Sequence, residues 1–362
     1  MSRERASRIL AIAGAVITVV IVLAASGFIA KTPSSALKSL PRGPEAAPVG
    51  EQVGYTLPEG RSAKDIGKDL EKLEVVRSGD QFALLVKLMG LQSKLSTGDY
   101  VLNKHMAVAA AIEAVTVKQA VPVLRVTFPE GIRTEEMAVI AEKAGFGPRA
   151  QFMQAVAAAR LPDRFAATAP ADATKQGYLF PDTYIMPVGS SSAQLVDKMI
   201  ATFDRRFTAE LVAAAATKGL NPHQALTLAA IVEREAAVAS ERPLIAGVFL
   251  NRIAANDQIG ADPTVQFAVA LSPASVEKYG WWKKELTAED LKNPSPYNTR
   301  LAFGLPPGPI TNPGLASIEA VAHATATKMY YFVADAKKAD GSHVFAETEA
   351  EHLANIARVG TP

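Results

Sequence analysis

The sequence predicts an α+β protein on a membrane tether, and three features predict it. A run of 22 residues without a charge, Ile9 to Ala30, opens the chain; a proline-bearing stretch follows; beyond residue 51, short alternating segments sit among segments with helical spacing. About half of the 362 residues are apolar and a fifth are charged, so most of the chain has the composition of a folded protein. The formal net charge is +2, with no long basic run, which gives no reason to expect a nucleic-acid partner. The absence of cysteine excludes disulfides, thiolate nucleophiles and Cys-ligated zinc.

Taken in order, residues 1–8 form a short tail carrying Arg3, Arg5 and Arg8. Residues 9–30 would rise roughly 33 Å as a helix, enough to cross a bilayer. The basic excess before this segment places the tail in the cytoplasm and the bulk of the chain in the periplasm or extracytoplasmic space, anchored in the cytoplasmic membrane by a single pass. A cleaved signal peptide is the competing reading, and its usual apolar core is shorter. Residues 31–50, with four prolines, read as an extended linker.

Residues 51–122 read as a small α+β domain. "VGYTL" alternates as a strand, "SAKDIGKDLEKLEVV" has Ile66, Leu70 and Leu73 at helical spacing behind a capping Ser62, and "DQFALLVKLMG", "GDYVL" and "AVAAAIEAVTV" continue as helix, strand and helix. Residues 123–357 read as a larger, mostly helical α+β domain. A strand "VLRVTF" and a turn at Pro129–Gly131 precede helices near 134–144, 149–159, 192–206 and 208–218. Asn221-Pro222 and Asp262-Pro263 each place a capping side chain before a proline suited to the first helical turn. A proline-rich stretch from Asn293 to Pro313 ends the helical run. "MYYFVAD" and "SHVFAE" then read as strands, and a last helix starts near Glu347.

The chemistry concentrates in "LTLAAIVEREAAVASERP", Leu226 to Pro243. At about 100° per residue, Glu233 and Glu235 lie roughly 200° apart on a helix starting at Pro222 and cannot share a face. Both lie on apolar stripes. One or both acids can be structural, paired with Arg234, Arg242 or another base. Alternatively, desolvation at the end of an apolar helix raises a carboxyl pKa, which is what a general acid needs near neutral pH. Periodicity does not choose between them.

Several long motifs in order do carry more. "LTLAAIVEREAAVASERPLIAGVFLNRI", with "YLFPDTY", "ADPTVQFA", "SPYNTRLAFGLPPGPITNPG" and "YYFVAD", resembles the endolytic murein transglycosylases, the YceG-like or MltG family, over about residues 125–357, with a weaker match to their LysM-like segment over 51–122. The resemblance implies a lytic-transglycosylase-like cleft in which Glu235 is the catalytic acid, acting on peptidoglycan glycan strands beside peptidoglycan synthases of the elongation or division machinery. It implies no cofactor and no metal. A single acid suffices for a lytic reaction because the substrate's own C6 hydroxyl attacks the anomeric carbon, whereas a retaining hydrolase needs a second carboxyl.

The same resemblance makes Glu233, Tyr178, Phe180, Asp182, Asp262, Thr264, Gln266, Tyr297, Asn298 and Thr299 candidates for binding substrate. Each has a plainer reading: Glu233 as a helix anchor, Asp262 as an N-cap, the aromatic residues as core. Three positions depart from the family pattern: Gln176 where a glutamate is common, Gly260-Ala261 before Asp262, and Leu353 after His352. Non-catalytic wall binding by a tethered scaffold and a retaining muramidase remain the rival functions. The five histidines include no pair at helix-ligand spacing, and no nucleophile elbow or phosphate-binding glycine loop occurs.

Overall fold

The computed structural model describes residues 51–116, 123–170 and 174–360. The predicted tail, apolar span and linker (1–50) lie outside the described residues, as does the end of the predicted small domain (117–122). Among the described residues no helix is long and apolar enough to cross a membrane. The chain divides into two compact units, Met1–Val123 with Ile185–Pro187, and Leu124–Tyr184 with Val188–Pro362.

In the first unit β1 (Gln52–Leu57) pairs antiparallel with β2 (Gly98–Asn103), with Tyr55 opposite Tyr100. Alternation puts Tyr55, Leu57, Tyr100 and Leu102 on the buried face. Between the strands come α1 (Ala63–Lys72) and α2 (Gly79–Leu88). Ser62 caps α1 by accepting from the Asp65 amide, and Ser78 caps α2 by accepting from the Gln81 amide. Their apolar stripes, Ile66–Leu70 and Phe82–Val86, meet in the core that α3 (Val108–Thr116) closes with Ala111, Ile112 and Val115. The two helices touch backbone to backbone at Gly67 and Gly79. A Cβ on Gly67 would lie 2.2 Å from the Gly79 carbonyl oxygen, so only glycine permits this crossing.

β3 (Val123–Thr127) and β4 (Thr183–Pro187) form a two-stranded sheet. Between them run α4 (Thr134–Lys143), α5 (Arg149–Ala158) and the single turn α6 (Asp163–Ala166); α7 (Ser192–Arg206) and α8 (Ala209–Ala216) follow. The centre of the second unit is α9 (Pro222–Glu235), surrounded by α8, α10 (Arg242–Ala254), α11 (Asp262–Val269) and α13 (Leu315–Ala322). The short α12 (Pro273–Tyr279) lies between α11 and the proline-rich stretch. β5 (Tyr331–Ala334) and β6 (His343–Ala346) form an antiparallel pair against which α14 (Glu349–Val359) packs.

The start of α9 is as its sequence predicts. Asn221 Oδ1 accepts from the Gln224 amide, Gln224 Oε1 accepts from the Asn221 amide, and Pro222 occupies the first turn. Every residue from Ala225 to Val232 is buried, which is why the helix is apolar all round. Each of Leu226, Leu228, Ile231 and Val232 contributes about 1.5–3 kcal/mol of burial. The helix ends at Glu235 because Ala236 turns extended, with φ −84° and ψ 98°.

Candidate active site

The last residue of α9 opens onto a cavity of about 870 Å³ within the second unit. Phe249 and Arg252 of α10, the turn Asp257–Ala261, the start of α11 and Arg300 line one part of it; β5, His343 of β6 and the residues Glu349, His352, Leu353 and Ile356 of α14 line the rest. Two interactions hold these walls in place. Arg252 Nε donates to the Tyr330 carbonyl at 2.7 Å, and its guanidinium also donates to the Ile259 carbonyl at 2.6 Å, so one side chain joins the β5 wall to the 257–261 turn. Asn251 Nδ2 donates to the Thr327 and Met329 carbonyls, and Gly247 lets the 325–327 segment come so close that a Cβ would sit 2.2 Å from the Thr325 oxygen.

The Glu235 carboxyl has no hydrogen bond or ion pair to any described residue, although its side chain is half-buried in the cavity wall. Desolvation is the chief cause that pushes its pKa up, from 4.5 to about 7. The negative Asp262 pushes the same way, while Arg300, Arg234 and Arg252 pull against it. Position adds to this, since the C-terminal end of a helix disfavours an anion. Near neutral pH a large share of these groups carry the proton.

Glu233 stands in a different setting. Its side chain is 7 % exposed; Oε2 accepts from the Ser317 hydroxyl at 2.7 Å and the Gly314 amide at 3.1 Å, and Oε1 faces Arg242 at 3.7 Å. These bonds tie α9 to the first turn of α13, and Glu233 does not line the cavity. The two acids that sequence periodicity left equivalent are separated by their partners.

Of the other candidates, only Asp262 lines the cavity. It does not cap α11: Ala261 is the N-cap and Asp262 the first helical residue. The reason is that Arg300 takes the carboxylate, with Nε 2.7 Å from Oδ1, while threonines serve the helix end. Thr299 Oγ1 accepts from the Ala261 amide, and Thr264 Oγ1 donates to the Ala261 carbonyl and meets Thr299 Oγ1 at 2.8 Å. Thr264 and Thr299 are wholly buried and so hold the turn that presents Asp262 and Arg300. Asn298, equally buried, donates to the Leu291 and Asn293 carbonyls and accepts from the Arg300 amide. Gln266 donates to the Lys283 carbonyl, and Tyr297 packs on Phe267.

Tyr178 and Phe180 belong to the core cluster around α9. Tyr178 Oη lies 2.7 Å from His223 Nδ1, and His223 Nε2 lies 2.9 Å from the Pro307 carbonyl, which fastens the 304–309 loop to the first turn of α9. Asp182 accepts from the Thr183 amide and faces Arg206 at 3.6 Å. None of the three lines the cavity, so the aromatic residues there offer no sugar face to it. Gln176 Oε1 accepts from the Thr134 amide at the start of α4, a structural bond, while Gly260, Ala261 and Leu353 do line the cavity.

Sequence reading gave no site role to Arg252, Arg300, Tyr331 or His352, and took His343 for a core or surface residue. Arg252 and Arg300 close the "FLNR" and "YNTR" runs, but what each holds is a backbone carbonyl or an acid distant in sequence. His352 stacks on Tyr331 at 5.2 Å, and burial and Arg252 lower its pKa, which keeps it neutral.

The model of the YceG-like family matches residues 55–358. The chain belongs to the YceG-like family. A protein of Bacillus subtilis named endolytic murein transglycosylase is 30% identical over 311 residues, covering 83% of this chain and 82% of that protein. A Streptococcus pneumoniae protein of the same name is 28% identical over 327 residues, spanning 84% of this chain and 58% of the longer relative. The crystal structure of a YceG-like protein from Listeria monocytogenes superposes with a TM-score of 0.54 at 27% identity, covering 84% of this chain and 99% of that one. This YceG-like chain therefore shares sequence and fold with its relatives over both of its units.

Proposed function

We infer that the chain is an endolytic murein transglycosylase that cuts the β-1,4 bond between N-acetylmuramic acid and N-acetylglucosamine and leaves a 1,6-anhydro end. The observation that carries this reading is the free Glu235 carboxyl, raised to about 7, on the wall of a cavity while its neighbour Glu233 is fully engaged. Family membership and the names of the relatives supply the substrate class.

Glu235 gives its proton to the glycosidic oxygen as the bond from the anomeric carbon breaks. The resulting carboxylate takes the proton of the muramic C6 hydroxyl as that oxygen bonds to the anomeric carbon. The acid ends as it began and no water is consumed. General acid–base help of this kind contributes about 10²–10⁴ in rate, and an internal nucleophile supplies proximity. Arg252, Arg300 and Arg234 favour the transient carboxylate without contacting the resting acid. A retaining muramidase would use a second carboxyl as nucleophile; Asp262 is the acid whose charge acts on Glu235, but Arg300 occupies it.

The rest of the reading is carried by the sequence. Residues 9–30 anchor the chain in the cytoplasmic membrane with the tail inside, 51–122 act as a LysM-like module that meets glycan, and the enzyme ends nascent strands beside a synthase. The purified chain incubated with glycan strands should release anhydro-ended products. Mass spectrometry decides the reaction class, because hydrolysis would add the mass of water to each cut. Equal release by Glu235→Gln would place the catalysis at another residue, and no release by the parent would leave a tethered wall-binding scaffold.

A further inference from the structure

One residue of the cavity wall, His343, belongs to a built side-chain pair that the mechanism above does not use. Glu241, just before α10, accepts from the His343 backbone amide with Oε1 at 3.1 Å, and its Oε2 lies 2.7 Å from His343 Nδ1. A carboxylate only accepts, so Nδ1 carries the hydrogen, which leaves Nε2 as the one ring nitrogen able to accept. The ring is held further by Phe332, edge to face at 5.3 Å. Nε2 has no partner among the described residues and is not sealed from solvent, and His343 lines the same cavity as Glu235. Its side chain is only 7 % exposed, so what reaches the cavity is an edge of the ring in a fixed pose.

That edge matches a particular ligand chemistry. A sugar hydroxyl both donates and accepts, and each hydroxyl brought out of water needs a partner for its hydrogen. Arg252, Arg300 and the protonated Glu235 are donors. The carboxylates of Asp257, Asp262 and Glu349 accept, and His343 Nε2 adds on β6 an acceptor whose pose is fixed by a buried partner. We propose that His343 contacts the substrate, its Nε2 accepting a hydrogen bond from a hydroxyl of the glycan strand while Glu241 fixes the ring's tautomer and aim. This rests on the glycan-cleaving function inferred above.

The test uses the full-length chain carrying Glu235→Gln, so that no turnover interferes, and measures its affinity for purified glycan strands. Adding His343→Asn keeps an amide donor within reach of Glu241 but removes the cavity-side acceptor, and should weaken binding about 3–10-fold, the range of one neutral hydrogen bond. Adding His343→Gln, whose amide reaches toward the Nε2 position, should restore most of the affinity at an unchanged melting temperature. Should the asparagine form melt early, His343→Phe keeps the ring packed on Phe332 without an acceptor and should show the same weakening. Undiminished binding by a folded asparagine or phenylalanine form overturns the proposal. Failure of the Glu235→Gln parent itself to bind strands would instead strike the substrate class.

Discussion

On the α13 side of α9, Glu233 accepts from a serine hydroxyl and a backbone amide and faces an arginine; on the cavity side, two residues later, Glu235 accepts from none of the described residues. Both carboxyls leave the same apolar helix, so the helix does not decide their behaviour. What differs is the supply of donors. A buried acid that is given partners becomes a brace, and one that is denied them keeps its proton to higher pH. The comparison teaches that the chemistry of this helix end lies in bonds withheld as much as in bonds made.

The largest effect separating the two acids should come from Glu235→Gln, which should lower the rate of anhydro-product release by about 10²–10⁴ while leaving the fold intact by circular dichroism. Glu233→Ala should do the reverse. It strips Gly314, Ser317 and the half-buried Arg242 of their acceptor and should cost about 3–5 kcal/mol in chemical denaturation, as breaking a buried ion pair does.

A pH series sharpens the contrast. Activity that needs protonated Glu235 should fall about tenfold per pH unit above 7, and Glu233→Gln should leave that midpoint in place. Stability carries the matching sign. Because the native pKa lies above the ordinary 4.5, the contribution of Glu235 is full below that value and is lost as pH rises through 7. Glu235→Gln should therefore be more stable than the parent above pH 7, by up to about 3 kcal/mol at 1.36 kcal/mol per pKa unit, read as a pH-dependent shift in the denaturation midpoint. The smallest effect should be Thr299→Val, which removes the acceptor of the Ala261 amide and should cost about 1–3 kcal/mol of stability, with activity falling as Arg300 and Asp262 lose their support.

What the sequence made legible follows from how local its causes are. The start of α9 could be read because Asn221, Pro222 and Gln224 are neighbours, and Ser62 likewise marks α1. β1, β2, β5 and β6 were visible from alternation, whereas α13 was not, since eight residues behind a proline-rich stretch offer little periodicity. The strand β4 starts at the end of "YLFPDTY", a motif noted for its candidate binding residues and not for a strand. Among site residues, Glu235 emerged only when motif resemblance broke the tie that periodicity left. Asp262 looked like a cap because its rival partner, Arg300, stands 38 residues away. Tyr178 and Phe180 looked like sugar platforms by residue type, but both are buried, Tyr178 with Phe165 and Phe203 edge-on to its ring and Phe180 under the Arg206 guanidinium. His343 read as a core or surface residue because Glu241, its partner, arrives from 102 residues earlier.

The Arg252 clasp has a consequence for behaviour in different media. Its partners are uncharged peptide oxygens, largely sheltered from solvent, so dissolved ions have little to screen. The Asp262–Arg300 pair, by contrast, stands open to the surrounding electrolyte. In concentrated brine the lip of the groove should loosen while the distance between its sides persists.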